Sequence, residues 1–124
     1  MEKVLGLGGV FIRTKDPNAL AAWYRDQLGI DVPPTDYETP IWTSDGGPCL
    51  VAPFAADTEY FGRPEQAFML NFRVRDLEAM SRQLEAAGVP VKPDPTSPHP
   101  NGSFAWVHDP EGNRIELWEP SGTF

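Results

Sequence analysis

Cysteine and histidine are nearly missing from this chain. Cys49 is the only cysteine, which excludes an internal disulfide and a cysteine-cluster metal site, and His99 and His108 are the only histidines. Basic residues are scarce as well. Ten Lys and Arg stand against 18 Asp and Glu, giving a formal charge of -8, which disfavours phosphate backbones and anionic membranes, so no nucleic-acid partner is expected. Long apolar runs are absent too. The stretch Met1 to Val10 is too short, and its Gly-rich run too broken, for a signal peptide, and nothing approaches a membrane span. The expectation is a cytoplasmic protein with no membrane partner. At 124 residues and 40% hydrophobic content, the chain can build one domain with a real core, and not two.

What is present is a repeat. Val4 to Thr14 reads as a strand, with Val10, Ile12 and Thr14 on one face and Gly9, Phe11 and Arg13 on the other. Asp16 has the character of an N-cap, with Pro17 at the first helical position. Leu20, Trp23, Tyr24 and Leu28 follow at helical spacing, and Gly29 ends the element. Ile30 to Asp36, Thr39 to Ser44 and Pro48 to Ala52 then read as three antiparallel strands around turns such as Asp45-Gly46-Gly47. A shift of 60 positions lays Val10, Ile12, Thr14 and Asp16 on Leu70, Phe72, Val74 and Asp76. Leu77, Met80, Leu84 and Ala87 supply a second helical stripe that Gly88 stops, and Trp42 matches Trp106. Unit one covers about 4–53, a linker about 54–67 and unit two about 68–120, all within one domain, 1–124.

The linker carries Phe54, Tyr60 and Phe61 beside Asp57 and Glu59, and is either a lid or a contact between copies. Val89 to Gly102 holds Pro90, Pro93, Pro95, Pro98 and Pro100, which limit any strand there to an edge. Cys49 alternates onto the helix-facing side, as a buried, inert thiol.

The most informative stretch is Asp109-Pro110-Glu111-Gly112-Asn113, a turn feeding a strand from Arg114 to Trp118. Ile115 and Leu117 take one face of that strand, and Arg114, Glu116 and Trp118 the other, so a carboxylate sits mid-strand beside a large aromatic. Desolvating it without donors or a cation is costly, so this face opens on a cavity or a polar cluster. This stretch, the Tyr24-Arg25-Asp26-Gln27-Leu28-Gly29 helix end and the Asn71-Phe72-Arg73-Val74-Arg75-Asp76-Leu77 strand-to-helix entry closely resemble the vicinal oxygen chelate superfamily. That superfamily includes glyoxalases, bleomycin-resistance proteins and extradiol dioxygenases. The resemblance spans roughly Leu5 to Pro120. It implies an α+β fold of two tandem βαβββ units whose sheets form a shared cleft, helices outside, commonly as a homodimer.

In metal-using members of the superfamily, ligands stand at four related strand positions. Here those positions hold Gly9, Leu50, Met69 and Glu116, and one carboxylate does not hold a divalent metal that wants three or four protein ligands. No metal and no cofactor are therefore expected. Alternation places Phe11, Arg13, Trp42, Leu50, Met69, Asn71, Arg73, Phe104, Trp106, His108, Glu116 and Trp118 on the cleft, an aromatic and apolar wall suited to a small organic ligand. Glu116 reads either as a ligand contact or general base, or as a structural ion pair with Arg114, Arg13 or Arg73. His108 reads as a strand-end residue bonded to backbone more readily than as a catalyst. The leading function is metal-free sequestration of a small, partly aromatic molecule, similar to the bleomycin-resistance branch. The alternative is a lyase, isomerase or dioxygenase that is metal-independent, with Glu116 as base, or has an atypical metal site using Glu116. A purely structural module ranks last, since it leaves Trp42, Trp106 and Trp118 with no ligand to contact.

Overall fold

A computed structural model describes residues 1–3 and 5–121. Its helices begin where the sequence supplies caps. Helix α1, Pro17–Leu28, starts after Asp16, whose side chain accepts from Ala19 N at 3.1 Å, with Pro17 in the first turn and Gly29 at the C-cap. Helix α2 spans Leu77–Ala86 and starts after Asp76, which accepts from Ala79 N at 3.0 Å. Each such cap stabilises its helix by about 1 kcal/mol.

Among the described residues there are four strands: β1 Leu70–Arg73 before α2, then β2 Lys92–Pro93, β3 Gly102–His108 and β4 Arg114–Pro120 after it. They form one sheet in the order β1-β4-β3-β2, with β1 parallel to β4 and the other pairs antiparallel. Strand β4 is central, which is why a mid-strand charge there is so exposed to the demands of burial. The two-residue β2 at the sheet edge is all that the Pro-rich segment contributes. The β3–β4 turn is organised by Asp109, which accepts from Glu111 N and Asn113 N at 2.9 Å each and from Asn113 Nδ2 at 2.8 Å.

One face of the sheet is the core. Ile115, Leu117 and Val107 are fully buried against Leu84 of α2 and Leu20 and Tyr24 of α1, with Leu70, Phe72 and Ile12 packed beside them. Both helices therefore cover the same face, giving an α+β architecture with helices outside. Tyr24 also donates its hydroxyl to Asp109 at 2.9 Å, tying α1 to the β3–β4 turn. Burial first, then the Asp109 charge, pushes its pKa well above the usual tyrosine value.

The expected strands of the first unit are a correction. Among the described residues, Thr39 to Ser44 and Pro48 to Ala52 carry no strand, nor do Ile30 to Asp36 or the part of Val4 to Thr14 beyond Val4, which lies outside the described residues. A strand persists only where a neighbour takes its backbone hydrogen bonds. These segments are broken by Gly6, Gly8, Gly9, Pro33, Pro34, Pro40 and Pro48, which weaken pairing or remove its donors. Without pairing, alternation does not fix sidedness. Val10 is 46% exposed rather than packed under a helix, and Cys49 is exposed rather than buried.

Candidate functional site

The face turned away from the helices is built by register. Asn71 of β1, Glu116 of β4 and Trp106 of β3 stand in one row across three strands, and Arg73, Trp118 and Phe104 form the next. Phe104 and Trp118 stack with centroids 6.2 Å apart and planes 2° from parallel, and Trp118 donates its indole N–H to Asn101 O at 2.8 Å.

Glu116 is the centre of this face and only 7% exposed. Its carboxylate is held by neutral donors. Asn71 Nδ2 donates to Oε1 at 2.7 Å, Trp106 Nε1 to Oε2 at 3.2 Å, and the hydroxyl of Tyr60 to Oε2 as well. Such donors offset the desolvation of a buried carboxylate without a contacting cation. The expected ion pair is thus corrected: among the described residues no cation lies in salt-bridge range of Glu116. The three arginines are engaged differently. Arg114 lays its guanidinium over Trp106 at 4.6 Å and Tyr60 at 5.6 Å from the ring centroids, and donates to Tyr60 O at 2.8 Å. Arg73 reaches out to Asp45 O at 2.9 Å and Gly46 O at 3.2 Å, and Arg13 is exposed.

Tyr60 is the residue that sequence reasoning missed as a member of the site. It belongs to the linker, which lies against this face. Phe54 stacks on Tyr60 at 5.7 Å and touches Phe61 at 5.2 Å, while Tyr60 meets Trp106 edge-on at 6.0 Å. Burial first, then the bond to Glu116, pushes the Tyr60 hydroxyl up to about 12, so it is a neutral donor at neutral pH. The aromatic cluster in the linker was the signal available, although its target was not.

Of the residues placed on the cleft by alternation, Asn71, Phe104, Trp106, Glu116 and Trp118 come together. His108 ends β3 exposed, and Met69 is half-buried just before β1. Phe11 at 96%, Leu50 at 73% and Trp42 at 41% exposure stand on the unpaired first half, where no strand neighbour fixes them. They line a broad hollow with Asn71, Glu116 and Trp118, of about 2790 Å³. That exceeds the roughly 300–1,000 Å³ of a fitted ligand cleft, and Glu116 lines part of its wall. A smaller hollow of about 310 Å³ lies between Phe11, Arg13, Gln66 and Arg114.

The donor set does not fit a divalent metal. Around Glu116 stand an indole N–H, an amide and a phenol; the indole nitrogen has no lone pair to give, and Gly9 and Leu50 are exposed residues without ligating side chains. Among the described residues, no three His, Cys, Asp or Glu gather as a metal site would require. No described helix is long and apolar enough to cross a membrane.

Residues 9–118 match a family described as glyoxalase-like domain. Among solved structures, TnmS3, an antibiotic-binding protein from Streptomyces sp. CB03234, is 24% identical with a TM-score of 0.55, over 94% of this chain and 100% of that one. An integron cassette protein from the mobile metagenome of the Halifax Harbour sewage outfall is 20% identical with a TM-score of 0.58, over 94% and 99%. A glyoxalase/bleomycin resistance protein from Streptomyces sp. CB03234 is 33% identical with a TM-score of 0.38, and the match spans 45% of this chain and 48% of that one. None of the curated proteins matches the chain.

Proposed function

The chain belongs to the glyoxalase-like domain family, and from that premise we propose that it binds a small organic, partly aromatic molecule on the open face of its sheet, without a metal, to sequester it. The observation that carries this reading is Glu116: a buried carboxylate set by Asn71, Trp106 and Tyr60 in the middle of an aromatic face. A structural charge gains little from such a position, because burying it costs more than a well-packed apolar residue would. A recognition site gains a fixed acceptor on a wall of flat rings, which is the composition of ligand clefts. The description of TnmS3 as an antibiotic-binding protein is in keeping with this use of the fold.

Catalysis through a metal has no support in the donor set around Glu116. General-base catalysis is disfavoured by the same geometry, since three protein donors already occupy the carboxylate oxygens that a substrate proton would have to reach.

Screening aromatic ligands by tryptophan fluorescence tests the reading, because Trp106 and Trp118 lie on the face. A ligand that quenches the wild type is expected to bind Glu116→Gln about tenfold more weakly, and to bind equally with and without a chelator. A tenfold loss of affinity on chelation, or quenching untouched by Glu116→Gln, would sink the proposal.

A further inference from the structure

Tyr60 does to Glu116 what a bound molecule would do. Its phenol stacks on Phe54 with planes 17° apart, meets Trp106 edge-on at 82°, sits 5.6 Å from the Arg114 guanidinium and donates its hydroxyl to Glu116. A free phenol can make every one of these contacts. None depends on the covalent tether.

We propose that residues 53–67 form a displaceable strap, with Tyr60 as the built-in occupant of the site, and that the ligand is a hydroxylated aromatic ring whose phenolic O–H replaces that of Tyr60 on Glu116. This deepens, and rests on, the reading of the open face as a binding site.

The strap is held unevenly, as a displaceable element must be. Past Gly62 it is anchored. Arg63 Nη2 donates to Glu111 O and Asn113 Oδ1 at 3.2 Å each, and Gln66, 8% exposed, donates to Arg114 O at 2.8 Å and accepts from Arg114 N at 2.7 Å. Before Gly62 the bonds are short-range: Thr58 N to Ala55 O at 3.0 Å and Tyr60 N to the Thr58 hydroxyl at 3.2 Å. From the sheet, this end receives the bond of Arg114 to Tyr60 O and the acceptor Glu116. Phe54 is 50% exposed and Tyr60 36%, so both rings stay partly open to solvent and neither is locked in the core. Gly62 itself, at φ 96°, adopts a backbone region that side chains other than glycine resist, and stands where a pivot is needed. Arg114, whose guanidinium lies beside the Tyr60 ring, has its Nε buried without an acceptor.

The chemistry selects a hydroxyl. Asn71 and Trp106 hold Glu116 from the sheet and remain in place when the strap leaves, so one donor position is exchangeable. A ring bearing O–H fills it. Its methyl ether leaves the buried carboxylate one donor short.

Calorimetric titration of the whole chain with 2-naphthol and with 2-methoxynaphthalene tests this in the wild type and in Tyr60→Phe, which keeps the ring and removes the competing hydroxyl. Tyr60→Phe is expected to bind 2-naphthol about tenfold more tightly than the wild type, and to prefer it to 2-methoxynaphthalene about tenfold, the size of one hydrogen bond to a charged group. Tyr60→Ala is a second variant, expected to shift in the same direction. If both variants bind 2-naphthol no better than the wild type, Tyr60 is a wall and the strap is overturned. Equal affinity for the two probes overturns the phenol while leaving the face as a site for aromatic ligands. No binding of either probe to any of the three proteins overturns both this inference and the proposed function.

Discussion

Ile115 and Ile41 are the same side chain in the two halves of the molecule. Ile115 is fully buried in β4, between helices α1 and α2 and the rest of the sheet, whereas Ile41 is 76% exposed in a segment with no strand beside it. Both sit in runs that the sequence reads as strands, and both follow a helix that starts at a capping Asp. The difference is the neighbour. Strand β4 lies between β1 and β3, which together take its backbone hydrogen bonds and fix which way each side chain points. Alternation states which residues would share a face, and lateral pairing decides whether there is a face at all. Helix α1 shows the other side of this lesson. It needs no lateral neighbour to form, and it spends its apolar residues Leu20 and Tyr24 on the core of the second half.

The largest effect that would sharpen or break this contrast is a matched pair of truncations. Ile115→Ala is expected to cost about 2–5 kcal/mol, through lost burial and the cavity left behind, and Ile41→Ala to stay within about 0.5 kcal/mol. Urea unfolding of both variants, repeated across protein concentration, checks this. The first half exposes apolar side chains, Leu5, Leu7, Phe11 and Val51 among them, so a contact between copies through it would make stability depend on concentration. A cost for Ile41→Ala that grows with protein concentration would place that residue in such a contact. A cost equal to that of Ile115→Ala at every concentration would mean that the first half packs as a second sheet, and the contrast would be gone.

What was legible in the sequence was local or set by pairing within one hairpin. Asp16 and Asp76 cap their helices because a cap needs only the next few backbone N–H groups. The Asp109 to Asn113 turn delivers β4 in the register that puts Ile115 and Leu117 on the core face and Glu116 and Trp118 on the other. Glu116 was therefore readable as an unusual charge, and its sharing a face with Asn71 and Trp106 followed from the same alternation, while the row they form was set by the register of pairing. The contribution of Tyr60 was not readable. It comes from 56 residues away in a segment with no period, where no pattern says which aromatic meets the carboxylate. The sidedness of Cys49 and Val10 failed for the reason Ile41 is exposed: their segments have no strand to pair with.

A smaller effect probes the link between the halves. Tyr24 of α1 donates to Asp109, a buried carboxylate at 4% exposure whose other donors all come from its own turn. Tyr24→Phe removes that one donor and leaves the ring, so it is expected to cost about 1–3 kcal/mol. Paired with a truncation of Leu20, it should be non-additive by about 0.5 kcal/mol or more, because both act through the docking of one helix. Strict additivity in urea unfolding would mean that the hydroxyl serves the turn alone, and that α1 is joined to the second half only by its apolar side chains.

The smallest effect separates local order from paired order. Asp36, in the first half, accepts from Glu38 N at 2.9 Å, Thr39 N at 2.7 Å and the Thr39 hydroxyl at 3.0 Å; Asp94, in the second, accepts from Thr96 N at 2.9 Å and its hydroxyl at 2.7 Å, and pairs with His99. These turns close on themselves, so each forms whether or not a sheet surrounds it. The backbone and hydroxyl of Thr39 hold the Asp36 carboxyl below the usual range, and the Thr96 hydroxyl and backbone N–H pull Asp94 down to about 2. A lowered folded-state value means stability that is present above the unfolded value of roughly 3.9 and lost as pH falls through the folded one, which for Asp94 is about 2. Carboxyl-carbon NMR titration should show both groups depressed in the native protein. If Asp94 is depressed and Asp36 titrates at its ordinary value, the first half lacks its local turns as well as its pairing, and absent strand neighbours no longer suffice to explain the contrast between the halves.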